Sequence, residues 1–109
     1  MNDHKQVVVF STVESPEEAS MISRHLVEQG LAACVNIVPH VKSVYIWKGK
    51  LREEEEWQLV IKTQEALMDK VIAAVKRLHS YDVPELIALP IIAGNPPYLD
   101  WIKESTLPL

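Results

Sequence analysis

His4, His25, His40, His79 and Cys34 are the soft and borderline metal ligands of this sequence, and Glu53–Glu56 is its densest group of hard ones. Copper(I) prefers thiolate, copper(II) prefers imidazole, and calcium or magnesium prefers carboxylate oxygen. A structural zinc site needs several Cys or His at short fixed intervals, and these five are scattered. Cys34 lies between Ala33 and Val35 and reads as a small packing residue. His40 follows Pro39 and reads as a surface group at a bend. His25 reads as solvated on a helix, and His4 falls in a frayed terminus. His79 ends a helix, where an imidazole can serve the last carbonyls. The glutamate run reads as a solvated edge near a hairpin tip, with at most weak, oxygen-preferring cation binding. Nucleophilic chemistry finds no pattern: Ser11, Ser80 and Ser105 lack a nucleophile elbow and form no set with a histidine and an acid. The three glycines are isolated, so no phosphate loop is present. Lys62 stands out, because it sits in the body of a strand, where a lysine is paired or faces a wet cleft.

Most of these side chains depend on one stretch, residues 31–63. Its first arm, Val35 to Trp47, is rich in Val, Ile and Tyr. Its second arm, Trp57 to Thr63, alternates strictly, with Trp57, Leu59 and Ile61 on one face and Gln58, Val60 and Lys62 on the other; Glu56 shares that second, mostly polar face. Gly49, between Lys48 and Lys50, permits the reversal. The stretch predicts a long antiparallel hairpin. Val35 to Lys48 would reach ~46 Å if unbroken, whereas a compact chain of this size has a radius of gyration near ~13 Å. The arm must overhang its domain or bend, and Pro39 marks a bend or bulge. An overhanging apolar ribbon needs a cover, and a second copy of the chain is the economical one.

The remaining elements follow in order. Val7–Phe10 reads as a buried strand. Ser15-Pro16-Glu17-Glu18 is a capping box with proline at the first helical position, followed by Ala19, Ile22 and Leu26 at helical spacing and by Gly30 as a stop. A second helix runs from about Glu65 to His79, with Leu67, Val71, Ala74, Val75 and Leu78 on one face. Glu85 to Leu89 reads as a strand held between Pro84 and Pro90. Tyr98 to Ser105 reads as a short last helix with Tyr98, Trp101 and Ile102 on one side. The order β-α-β-β-α-β plus a terminal helix predicts an α+β, ferredoxin-like sandwich with a long β-hairpin, formed by residues 1–109 as one domain. Two helices cover one sheet face; the other face is apolar too, which repeats the argument for assembly.

Composition narrows the function classes. Hydrophobic residues make up 48%, so the chain is not a disordered segment. A net charge of −4 argues against a nucleic-acid binder. No apolar run approaches the ~20 residues of a membrane span. The single cysteine fits a reducing, cytoplasmic setting.

Three blocks carry a family resemblance: the hairpin LAACVNIVPHVKSVYIWKGKLREEEEWQLVIKT, then HSYDVPELIALP from His79 to Pro90, then GNPPYLDW from Gly94 to Trp101. Together they resemble the CutA family of divalent-cation-tolerance proteins over nearly the whole chain. The resemblance implies a ferredoxin-like homotrimer whose hairpins pair between subunits, kinship of shape with P-II signalling trimers, and a non-enzymatic link to copper tolerance and copper binding. The copper site proposed for some members uses a cysteine and two consecutive histidines; the matching positions here hold Ser11, Leu78 and His79. Only His79 keeps a ligand, so copper(II) or another divalent cation is expected to bind weakly. The resemblance also implies clefts between subunits. Trp47, Lys62, Tyr81 and Glu85 are the residues expected to line them, either as a structural interface or, in a P-II-like sensor or scaffold, around a small ligand or partner protein.

Overall fold

The computed structural model describes residues 5–108. Its elements are β1 (Gln6–Val13), α1 (Pro16–Glu28), β2 (Cys34–Trp47), β3 (Lys50–Gln64), a single 3-10 turn (Glu65–Leu67), α2 (Met68–Leu78), β4 (Ile87–Pro90) and α3 (Pro96–Glu104). The sheet has the order β2-β3-β1-β4, antiparallel throughout. This is the predicted split βαβ sandwich. Alternation along β1 sends Val7, Val9 and Val13 toward the helices, where they meet Leu59 and Ile61 of β3, Ile22 and Leu26 of α1, and Val71 and Val75 of α2. Burying each of these large side chains contributes about 1.5–3 kcal/mol. The helices exist because their apolar residues recur every three or four positions and find this face.

Helix α1 begins at Ser15, whose Oγ accepts from the Glu18 N–H at 3.1 Å. It ends before Gly30, at φ 71°, the left-handed geometry that stops a helix. Only half of the expected capping box forms. The Glu18 carboxylate is taken elsewhere: Oε2 accepts from the Ser80 N–H at 2.7 Å and Oε1 from Ser80 Oγ at 3.0 Å.

The hairpin runs further than its alternation indicates. The second arm begins at Lys50, not Trp57, because Arg52–Glu56 ladder against Val41–Tyr45. The partner arm imposes the strand, and most of the glutamate side chains alternate into solvent. Lys48 and Gly49 turn the chain at φ 52° and 78°, the two-residue turn that matches strand twist. At Pro39–His40 the register slips, from Val38↔Gln58 to Val41↔Glu56, with His40 at φ 58°. That is the expected bulge; it bends the ribbon and holds a non-glycine residue in the left-handed region. The chain measures 44 × 28 × 22 Å with a radius of gyration of 14.5 Å, so the hairpin does overhang.

Other boundaries differ from expectation: β1 runs beyond Val7–Phe10 at both ends, and α2 starts at Met68 after the 3-10 turn. Strand β4 is short and excludes Glu85, and α3 starts at Pro96 rather than Tyr98. Within α3 only Ile102 is buried; Trp101 and Tyr98 are about two-fifths exposed and touch each other, ring centroids 5.4 Å apart. The helix is held to the end of the sheet by Gln6 Nε2 donating to Leu99 O at 3.3 Å and by Gln64 Nε2 donating to Thr106 Oγ1 at 2.6 Å.

Candidate functional site

Three of the polar residues singled out in the sequence, Glu56, His79 and Tyr81, meet at one place beyond the end of α2. His79 caps that helix with an extended backbone, and its ring is fully buried. Nε2 lies 2.7 Å from Thr12 O, and Nδ1 lies 3.0 Å from the Tyr81 N–H. A carbonyl only accepts and an amide N–H only donates, so Nε2 carries the proton and Nδ1 offers its lone pair to Tyr81. The Tyr81 ring lies against the imidazole at a centroid distance of 4.7 Å. Its hydroxyl donates to Glu56 Oε2 at 2.7 Å. Burial first, then the hydrogen bond and charge of Glu56, push the Tyr81 phenol well above its ordinary range. Glu56 itself is buried, unlike the glutamates before it in the run. One network therefore ties β1, the end of α2, and the middle of β3, with Glu18 of α1 attached through Ser80.

This network gathers a serine, a histidine and an acid that the sequence does not group. Its wiring does not serve nucleophilic catalysis. Ser80 Oγ donates to Glu18, not to an imidazole, and both ring nitrogens of His79 are engaged with backbone groups. A histidine base must reach the proton of its serine, and His79 does not reach that of Ser80; the hydroxyl is accepted by Glu18 Oε1, whose carboxylate also holds the Ser80 N–H. The same wiring bears on metal binding. His79 has no free lone pair, Leu78 is apolar, and Ser11 is buried with its Oγ lacking a hydrogen-bond partner among the described residues. These three positions do not fit the copper site of the family pattern. No three His, Cys, Asp or Glu side chains among the described residues converge to hold an ion.

The other candidate ligands are dispersed. His40 pairs with Glu55 at 3.0 Å on the exposed bulge and tilts against Trp57. His25 accepts from Arg77 on the helix side. Cys34 is half-buried, its Sγ 4.0 Å from Asn36 Oδ1. His4 lies outside the described residues.

One subunit does not bring the four cleft residues together. Trp47 pairs with Lys50 at the hairpin end, and Lys62 pairs with Cys34 and Val8 near its base, roughly 40 Å further along β3 at strand spacing. Lys62 donates to Asn36 Oδ1 on the sheet face that α1 and α2 leave uncovered. Tyr81 serves Glu56, and Glu85 is exposed before β4. Around Lys62 that face carries Val8, Phe10, Val60, Ile87 and Leu89, by the cross-strand register. Glu18 and Thr12 are parts of the network that sequence reasoning missed. Glu18 carried a signal but for another role, and Thr12 takes part through its backbone, which leaves no trace in residue type.

The sequence profile of the CutA1 divalent ion tolerance protein family matches residues 7–105. The chain belongs to this family. It is 50% identical over 99 residues to the divalent-cation tolerance protein CutA of Thermus thermophilus, covering 91% of this chain and 96% of that protein. It is 49% identical over 100 residues to the chloroplastic protein CutA 1 of Oryza sativa, covering 92% of this chain but 56% of that protein. The chain thus spans just over half the length of its plant relative. The crystal structure of CutA1 from Oryza sativa superposes with a TM-score of 0.93 at 48% identity, covering 94% of each chain. The fold of this chain is thus shared with the Oryza sativa structure over nearly its whole length.

Proposed function

We propose that this CutA-family chain acts as a non-catalytic homotrimer in the cytoplasmic response to divalent cations, copper(II) among them. The observation that carries the assembly is the hairpin end. Ile46 and Leu51 form one cross-strand pair, 71% and 67% exposed, while Tyr45 and Trp47 alternate to the opposite side and are also exposed. An apolar ribbon uncovered on both sides is an interface awaiting its partner. Three copies would cover the ribbons and the uncovered sheet face together. Cation binding in this reading is weak and lies outside His79. The exposed His40–Glu55 pair beside the acidic run offers an imidazole and a carboxylate, too few ligands for tight binding.

A P-II-like role, with a small ligand or partner protein between subunits, is the second reading. It is favoured by Lys62, whose ammonium is held by a neutral amide on the open sheet face rather than by a carboxylate. In a trimer a neighbouring Trp47 could complete a cleft with Lys62, Tyr81 and Glu85. Native mass spectrometry with and without copper(II) tests the leading reading. The expected species has three times the 12.4 kDa chain mass and binds copper that a mild chelator removes. A monomer at micromolar concentration, or one tightly held copper per chain, would overturn it.

A further inference from the structure

The helix side of the molecule carries a feature that neither the assembly nor the His79 network uses. Between α1 and α2 lies a groove of about 330 Å³. It is open because small residues floor it: Ala73 and Ala74 of α2, with Leu107 across one end. Leu107 is pinned there by its N–H, which donates to Gly30 O at 2.8 Å. The rim is polar. His25 and Gln29 stand one turn apart on α1, and Lys70 and Arg77 stand two turns apart on α2. No carboxylate lines it.

In a chain with 15 acidic and 11 basic residues, an acid-free basic groove runs against composition. Its charges are also uncompensated. Arg77 Nη2 donates to His25 Nε2 at 3.2 Å. The imidazole therefore keeps its proton on Nδ1 and accepts from the guanidinium without neutralising it. Lys70 has no ion-pair partner among the described residues. A guanidinium and an ammonium above an apolar floor complement a phosphoryl group attached to an apolar body: arginine matches phosphate bidentately, lysine adds a point charge, and the alanines take the body. The groove is shallow and open to solvent, so it would hold one face of a ring and its phosphate rather than enclose them.

We propose that the α1–α2 groove binds a small organic phosphate monoester, with Arg77 and Lys70 on the phosphoryl group and Ala73, Ala74 and Leu107 against the apolar part. The groove lies on the opposite side of the sheet from the face that assembly would cover, so the trimer can carry the ligand without competition. The test is calorimetry and amide NMR on the full chain, with phenyl phosphate as the probe and benzoate and inorganic phosphate as comparisons. Phenyl phosphate should bind saturably and shift amides along α1 and α2. Arg77→Gln or Lys70→Gln should weaken it about tenfold. Ala73→Leu, at an exposed position that tolerates the larger side chain, should fill the groove and abolish binding with the melting temperature unchanged. Inorganic phosphate should bind more weakly, lacking the apolar part. Benzoate binding as tightly as phenyl phosphate would overturn the phosphate assignment. Absence of saturation, or full affinity in Ala73→Leu, would overturn the site.

Discussion

Around His79 a buried ring, two carboxylates and a phenol use up one another's hydrogen bonds within the subunit. Around Trp47 the same chain leaves Val44, Ile46 and Leu51 more than half exposed, with Tyr45 and Trp47 uncovered on the reverse side. Both regions lie along β3, the first at its middle through Glu56 and the second at its start beside Lys50, and they differ in what completes them. The His79 end is closed by its own backbone carbonyls and amides. The Trp47 end is left exposed on both sides of the ribbon. A polar network satisfied within one subunit specifies the fold, whereas an apolar ribbon left open specifies a partner. Mutations at the two ends should therefore differ in kind: one set should change stability at every concentration, and the other should change it most on dilution.

The largest effect should come from Trp47→Ala. Truncating a buried tryptophan costs about 3–5 kcal/mol, and the proposed trimer would bury Trp47 against a neighbouring subunit. That loss falls on assembly as well as on folding, so the melting temperature should become steeply concentration-dependent and sedimentation should reveal monomers. Identical melting across a wide dilution series would dissolve the contrast between the two ends. Next is His79→Ala, which strips a donor from Thr12 O and an acceptor from the Tyr81 N–H inside a buried site. The expected cost is about 3 kcal/mol, from unpaired polar groups and the vacated space. It should be the same at every protein concentration, and copper(II) affinity by calorimetry should change little. Loss of a tight copper site in this variant would show that His79 ligates metal, against its hydrogen bonding here.

Local chemistry made the frame legible in the sequence. Ser15-Pro16 and Gly30 bracket α1, Pro39 marks the bulge, and the apolar periods place both helices and the central strands. Each of those signals acts over a few residues. What stayed hidden depends on distant partners. Glu53–Glu56 are poor strand formers by type, and only the register with β2 makes them a strand. Glu18 reads as a capping-box residue until Ser80, 62 positions away, claims its carboxylate. Trp101 shares a helical side with Ile102 in the sequence, yet only Ile102 is buried. The candidate site was legible as a list of residues and not as a circuit. Glu56 shows the limit well: alternation groups it with Gln58 and Lys62, but its burial and its hydrogen bond depend on Tyr81, 25 positions away.

The smallest effect sharpens the description of the His79 end, because it separates a hydrogen bond from mere packing. Tyr81→Phe keeps the ring beside His79 and removes the hydroxyl that serves Glu56 Oε2. A hydrogen bond to a charged group contributes about 1.5–3 kcal/mol, and Glu56 is left buried with one donor fewer, so a loss near 2 kcal/mol is expected around neutral pH. The pH dependence is the more specific reading. Burial and then Glu56 raise the phenol above its ordinary value of about 10. The folded state therefore holds this proton where the unfolded chain has released it. The stabilisation is fully present below the unfolded value and is lost progressively as pH rises past it. Denaturant melts of the parent chain should show stability falling above pH ~10, and Tyr81→Phe should flatten that fall after the shared contribution of the other titrating groups is subtracted. Parallel alkaline limbs in the two proteins would mean that Tyr81 merely fills space and that the closure of the His79 end does not extend to Glu56.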